Sequence, residues 1–146
     1  MSPSSSLQLR LEAAESSLAV LAETLASFAM AQNWPDDIRM HVDLVLEELV
    51  FNVISYGYPD GREGCIDVGI SQDEQGIHLV VEDDGEPYDP FSQAEPDLTL
   101  PLMERPIGGL GVHFIRQFMD DHRYCHLHHR NRVELRKFLP RHPEDN

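Results

Sequence analysis

Three short segments carry side chains whose types and spacing could do chemistry. In the first, Glu48 and Asn52 stand four residues apart, so a helix would set them side by side on one face. A carboxylate can take a proton from a hydroxyl, and a carboxamide oxygen can hold a hard cation such as Mg2+. In the second, an apolar run ends in Glu82-Asp83-Asp84-Gly85. A carboxylate at a strand end accepts a hydrogen bond from an exocyclic amine, and glycine lets a flat ring approach the backbone. In the third, Arg105-Pro106-Ile107-Gly108-Gly109-Leu110-Gly111 runs straight into a helical pattern. Glycine-rich N–H groups at a helix start suit phosphate, and Arg105 adds a cation. Taken singly, each segment is also what a solvated helix edge, an Asp-Gly turn or a glycine hinge looks like.

Other reactive side chains suggest less. His122, His126, His128 and His129 cluster near the C-terminal end, and His126 and His128 would share a strand face. No cysteine or carboxylate completes a metal set with them, so they read as a solvated hairpin. Cys65 and Cys125 lack metal or redox spacing, and each falls in a strand pattern, as two buried thiols would. Lys137 is the only lysine, which excludes a P-loop ending in Lys-Ser/Thr. Nothing suggests a Ser-His-Asp or Cys-His nucleophile.

The elements that must position these groups are legible from periodicity. Leu7, Leu9 and Leu11 alternate with polar residues as a short strand. Residues 15–32 take helical spacing, closed by Trp34-Pro35, and Asp36 is placed to cap a second helix reaching Tyr56. In that helix Val42, Val45, Leu46, Leu49 and Val53 form the core stripe, with Glu48 and Asn52 on one margin and Glu47 on the other. Phe51 lies opposite the stripe, exposed or in an interface. Gly57 suits a C′ position, and Tyr58-Pro59-Asp60-Gly61 is turn chemistry. Ile66, Val68 and Ile70, then Ile77, Leu79 and Val81, alternate as a hairpin about residues 72–76. Residues 86–107 are proline-rich and aperiodic, a loop of lid length. A third helix from Gly111 to about Met119 and a hairpin turning at His129-Arg130-Asn131 follow. Hairpins with separately grouped helices predict an α+β fold, a largely antiparallel sheet covered on one face by helices.

At 146 residues the chain is one domain over 1–146, residues 1–6 being a loose tail. Its 11 basic against 26 acidic residues give a net charge of −15, which argues against nucleic acid or an anionic membrane as partner. The apolar stretch near the N-terminus is interrupted by Glu23, Thr24 and Ser27, so neither a secretory signal nor a span is expected, and a cytoplasmic location is.

In this order, Glu-x-x-x-Asn on a helix, Asp-x-Gly after a hairpin strand, a lid-length loop and Gly-x-Gly opening a helix resemble the GHKL ATPase superfamily. Within it, "LEELVFNVISYGYPDG", "VEDDGEPYDP" and "PLMERPIGGLGVHFIRQFMDD" are similar to the RsbW-like anti-sigma-factor serine kinases. The resemblance implies a Bergerat two-layer sandwich with a mixed, mostly antiparallel sheet, and ATP with Mg2+ as cofactors. It implies Glu48 as general base, Asn52 as Mg2+ ligand, Asp83 on the adenine amine and Gly85 leaving room for the ring. It further implies Gly109, Leu110 and Gly111 around the phosphates, residues 91–107 as an ATP lid, and Arg105 on the γ-phosphate. Its implied partners are a STAS-domain anti-anti-sigma factor, a sigma factor or equivalent regulator, and a second copy of the chain. Three positions depart from the pattern: Tyr56 replaces a common histidine, and Pro87 and Tyr88 replace glycine and phenylalanine. The alternative function is an ATP-sensing module that sequesters a partner without phosphotransfer.

Overall fold

The computed structural model describes residues 5–92 and 109–139, with side chains from residue 113 onward in the second segment. The elements are β1 (Ser5–Glu12), α1 (Ser17–Ala31), α2 (Asp36–Tyr56), β2 (Cys65–Gln72), β3 (Gly76–Asp83), a 3-10 turn (Pro90–Ser92), α3 (Gly109–Phe118), β4 (Asp121–Leu127) and β5 (Arg130–Phe138). The five strands form one sheet in the order β1-β2-β3-β5-β4, and every neighbouring pair is antiparallel. The fold is α+β as expected, and the sheet is wholly antiparallel among the described residues rather than mixed.

Strand alternation sends every second residue to one face. Leu9, Val68, Val81, Val133 and Tyr124 stand in one cross-strand row, and Leu7, Ile70, Leu79 and Leu135 in the next. These rows meet Leu21 and Leu25 of α1, Val42, Val45, Leu46 and Leu49 of α2 and Ile115 of α3 in a single core. Of these, Val42, Val45 and Leu46 are wholly buried, so the helical stripe read in α2 is the face that packs. Their burial, at about 1.5–3 kcal/mol per large side chain, holds α2 rigid over the sheet.

Local boundaries differ from expectation for identifiable reasons. Ser5 and Ser6 belong to β1, paired with Gln72 and Ser71. α1 starts at Ser17, whose buried hydroxyl donates to the Glu12 carbonyl at 2.7 Å, while residues 14–18 wind as tight turns first. Pro35, with its extended backbone, occupies the N-cap of α2; Asp36 lies inside the helix and makes no side-chain cap. Asp36 and Asp37 favour that end through charge, against the positive end of the helix dipole. Gly57 is right-handed (φ −74°), so a left-handed C′ position is not its role.

The last hairpin turns on His128 and His129, at φ 54° and 62°. Two consecutive left-handed residues make the two-residue loop whose twist matches the flanking strands, and Leu127 pairs with Arg130. The turn therefore comes earlier than the His129-Arg130-Asn131 expected, and Asn131 joins β5. His128 lies in the turn and does not share a strand face with His126. Cys125 is exposed on the outer face of edge strand β4 and Cys65 is only partly buried, so the expectation of two buried thiols fails; both are free. Phe51 is partly buried. No helix among the described residues is long and apolar enough to cross a membrane.

Candidate functional site

At one end of the sheet the inward face turns polar. Leu11 pairs with Ile66, Ile66 with Asp83, and Asp83 with Asn131, continuing the inward rows with a carboxylate and a carboxamide. Above this end lies a narrow cleft walled by Leu49, Asn52 and Val53 of α2, Val81 and Asp83 of β3, Tyr88, and Asn131 and Val133 of β5. The structure thus brings Asn52 and Asp83, far apart in sequence, into one cleft.

Asn52 is 3% exposed, and neither its Oδ1 nor its Nδ2 has a hydrogen-bond partner among the described residues. A buried amide left unpaired costs about 1–3 kcal/mol, so its retention calls for something in the cleft to bond it. Glu48, one turn earlier, is half-buried where Glu47 is exposed. Burial pushes the Glu48 carboxyl above the usual carboxylate range, and the neighbouring charge of Glu47 adds to it. Glu48 does not line the cleft wall itself, but its charge reaches Tyr88, whose phenol is raised first by burial and then by Tyr56 and Glu48. Tyr56 and Tyr88, two of the three departures noted above, stack on each other with centroids 5.8 Å apart.

The Asp83 carboxyl is likewise pushed up by burial, an effect opposed by hydrogen bonds from Asn131 and the Gly85 N–H. Both bonds, each 2.9 Å, fall on Oδ1. Among the described residues none falls on Oδ2, which leaves one carboxylate edge to a ligand. Gly85 matters for the backbone behind the carboxylate. A Cβ there would come within 2.6 Å of the Gly57 carbonyl oxygen. The same carbonyl accepts the Glu86 N–H at 2.8 Å, so the end of α2 and the 83–86 turn are stitched together. Tyr58 reinforces the stitch by donating to Asp84 Oδ1 at 2.5 Å, and Arg62 donates to the Asp84 carbonyl. That phenol's hydrogen bond, followed in weight by the Cys65 N–H and Arg62, holds the Asp84 carboxyl low against its burial.

Gly109, Leu110 and Gly111 form the first turn of α3, which begins two residues earlier than periodicity suggested. The N–H groups of a first helical turn have no intrahelical acceptor. α3 packs along α2, where Phe118 stacks on His41 at 3.8 Å, and Arg116 donates to the Phe91 carbonyl at 3.0 Å. Arg105 and residues 93–107 of the expected lid lie outside the described residues. Among the described residues no group of three or more His, Cys, Asp or Glu could hold a metal ion, so the histidines of the last hairpin form no such site.

Asn131 escaped the sequence reading. It is 3% exposed and hydrogen-bonded to Asp83, Glu86, Tyr88 and Tyr124. A signal existed, since Asn131 is in phase with the inward-facing Val133 and Leu135. A polar residue continuing an apolar alternation here marks the end of the core face, where it opens onto the cleft.

Comparison with known proteins shows the family to which this fold belongs. The histidine kinase-like ATPase domain matches residues 11–137. The chain belongs to that family. Among curated relatives of this domain, serine/threonine-protein kinase BtrW of Bordetella bronchiseptica is 27% identical over 95 residues, 65% of this chain and 67% of the relative. Anti-sigma F factor of Priestia megaterium is 30% identical over 101 residues, 67% of each chain. A crystal structure of the RsbU and RsbW domains of a Mycobacterium tuberculosis protein superposes with a TM-score of 0.66 at 16% identity. That overlap covers 94% of this chain but 34% of the other, and it shows the ATPase fold. The resemblance read from the three motifs therefore holds at the level of family and fold.

Proposed function

We propose that this ATPase domain is an Mg2+- and ATP-dependent protein-serine kinase that also sequesters a regulatory partner. The observation that carries the reading is the Asn52 amide, without a hydrogen-bond partner among the described residues and buried in a wall of the same cleft as the Asp83 carboxylate. Two relatives are named for the two halves of this activity, a serine/threonine-protein kinase and an anti-sigma F factor.

Asp83 would accept the exocyclic amine of adenine on its open Oδ2 edge, with Gly85 keeping the turn close enough for the base to seat. The N–H groups of Gly109, Leu110 and Gly111 would receive phosphate oxygens at the positive end of α3, and Arg105 the γ-phosphate. Asn52 fits a hard cation, since its amide oxygen is buried, neutral and unclaimed among the described residues. Asn52 would hold Mg2+ on that oxygen, and the cation would supply positive charge that offsets the charge developing on the transferring phosphoryl group. Glu48 would orient the partner's serine hydroxyl and accept its proton as oxygen attacks the γ-phosphorus and the bond to the β-phosphate oxygen breaks, releasing ADP. Its raised carboxyl makes it a stronger base than a surface glutamate once ionised. Residues 91–107 would close over the nucleotide.

By the same reading the phosphoacceptor is a STAS-domain anti-anti-sigma factor, the sequestered protein a sigma factor or equivalent regulator, and the working form a homodimer in the cytoplasm. The test is phosphotransfer from Mg·ATP to a captured STAS protein followed by intact mass, with Glu48→Gln in parallel. One phosphate on a partner serine, absent with the variant, supports the kinase. Tight ATP-sensitive binding with no phosphate would replace it by a nucleotide-gated sequestering module.

A further inference from the structure

The Asn131 carboxamide is the most fully used polar side chain in the cleft. Its Nδ2 donates to Asp83 Oδ1 and to the Glu86 carbonyl, each at 2.9 Å, with the Gly85 carbonyl at 3.4 Å. Its Oδ1 accepts the Tyr88 N–H at 3.2 Å and the Tyr124 hydroxyl at 2.5 Å. The orientation is fixed by chemistry: the Tyr88 N–H can only donate, and the Glu86 carbonyl and an ionised Asp83 can only accept. Asn52, on the opposite wall, has none of this.

We propose that Asn131 is a positioning residue for the base subsite, fixing the Asp83 carboxylate with Oδ2 toward the cleft and tying it to the loop that carries Tyr88. This rests on the nucleotide reading above. Two consequences follow. With its N–H groups spent on protein oxygens, Asn131 offers no donor to a 6-oxo purine, so the subsite presents acceptor only and favours a 6-amino purine. Tyr88, which stacks on Tyr56, is also anchored through its backbone to the residue that orients Asp83, so base recognition and this aromatic wall share one tie.

The experiment measures affinity of the full chain for Mg·ATP and Mg·ITP (inosine triphosphate) across pH 5–8, for wild type, Asn131→Ala, Asn131→Thr and Asp83→Asn. Wild type should prefer ATP. Asn131→Ala should bind ATP about tenfold more weakly, the scale of one charge-assisted hydrogen bond, and should narrow the ATP/ITP preference. Removing the Asn131 donor also removes one of the bonds that hold the Asp83 carboxyl down. The fall in ATP affinity on acidification should therefore begin at a higher pH. The charged groups that act on Asp83 are Asp84, which raises it, and Arg130, which lowers it. The Tyr58 and Tyr124 phenols nearby keep their protons throughout that range. Both charged groups stay in place in every variant. Asn131→Thr keeps a hydroxyl donor near Asp83 while giving up the tie to Tyr88, so it should recover the pH profile without full affinity. Should Asn131→Ala fail to fold, Asn131→Thr decides. A purely structural role would leave pH profile and base preference untouched in whatever fraction folds. Folded Asn131 variants with wild-type affinity, preference and pH profile would overturn the proposal alone. ATP binding unaffected by Asp83→Asn would overturn it at its root, through the nucleotide reading.

Discussion

The two faces of one sheet treat charge in opposite ways. On the outer face, Arg10, Asp67, Arg130, Glu82, Arg132 and Glu134 form a continuous chain of ion pairs across β1, β2, β3 and β5. Asp67 is held low chiefly by Arg10, and Glu134 chiefly by Arg132. On the inner face and the helix above it, Asp83 and Glu48 are pushed up by burial, and Asn52 has no hydrogen-bond partner among the described residues. The ladder is satisfied and open to solvent on one side, partly exposed along its length, and such pairs add little to stability. In the cleft the Asn52 amide is buried and unpaired among the described residues, which costs stability in the free protein. In the function proposed above a bound nucleotide offsets that cost, and the poorly satisfied face is the one that binds it.

The comparison can be broken in order of effect. Glu48→Gln should lower phosphotransfer by about 10²–10⁴-fold, the range for a lost general base, with ATP affinity close to wild type. Rate constants at saturating ATP check it, and a variant as fast as wild type would remove Glu48 from the mechanism. Leu46→Ala, in the wholly buried stripe of α2, should cost about 2–5 kcal/mol in denaturant unfolding, because α2 is held by packing rather than by its polar margin.

A pH series separates the faces by sign. Glu48 has its folded carboxyl raised, so the folded state binds more protons than the unfolded one between the usual carboxylate range and the raised value. Its contribution to stability therefore falls as pH rises through that window. Glu48→Gln should be more stable than wild type at pH 7, with the advantage shrinking toward the usual carboxylate range. Asp67 has its carboxyl lowered, so its contribution is present above that range and fades as pH falls toward the depressed value. Asp67→Asn should lose about 1 kcal/mol or less at pH 7, and the loss should vanish in acid. Melting curves at a series of pH values read both, and like signs for the two variants would break the comparison.

How much of this was legible in the sequence depends on which periodicity carried the signal. α2 announced itself through a long apolar stripe, and helix geometry set Glu47 and Glu48 on opposite margins of it, while the deeper burial of Glu48 depends on what packs beside that margin. The β2–β3 hairpin was equally clear, because Asp73 and Gly76 punctuate two alternating runs. Asp73 Oδ1 there accepts the Gln75 and Gly76 N–H groups. Asn131 was hidden because His128-His129 looks nothing like the glycine-rich dipeptides that usually mark a two-residue turn. Placing the turn later put Asn131 in a loop and erased its phase with Val133. Cys125 misled for a related reason: β4 is an edge strand, and alternation does not tell which strand lies at the edge. The partnerless state of Asn52 has no sequence signature, since it depends on what the opposite wall supplies.

The measurement that tests the central claim most directly is Asn52→Ala, followed by both thermal melting without nucleotide and Mg·ATP binding. The account predicts a free protein at least as stable as wild type, because an unpaired buried amide costing about 1–3 kcal/mol is gone, together with a large loss of Mg·ATP affinity. A variant that is less stable and binds Mg·ATP as tightly as wild type would contradict it.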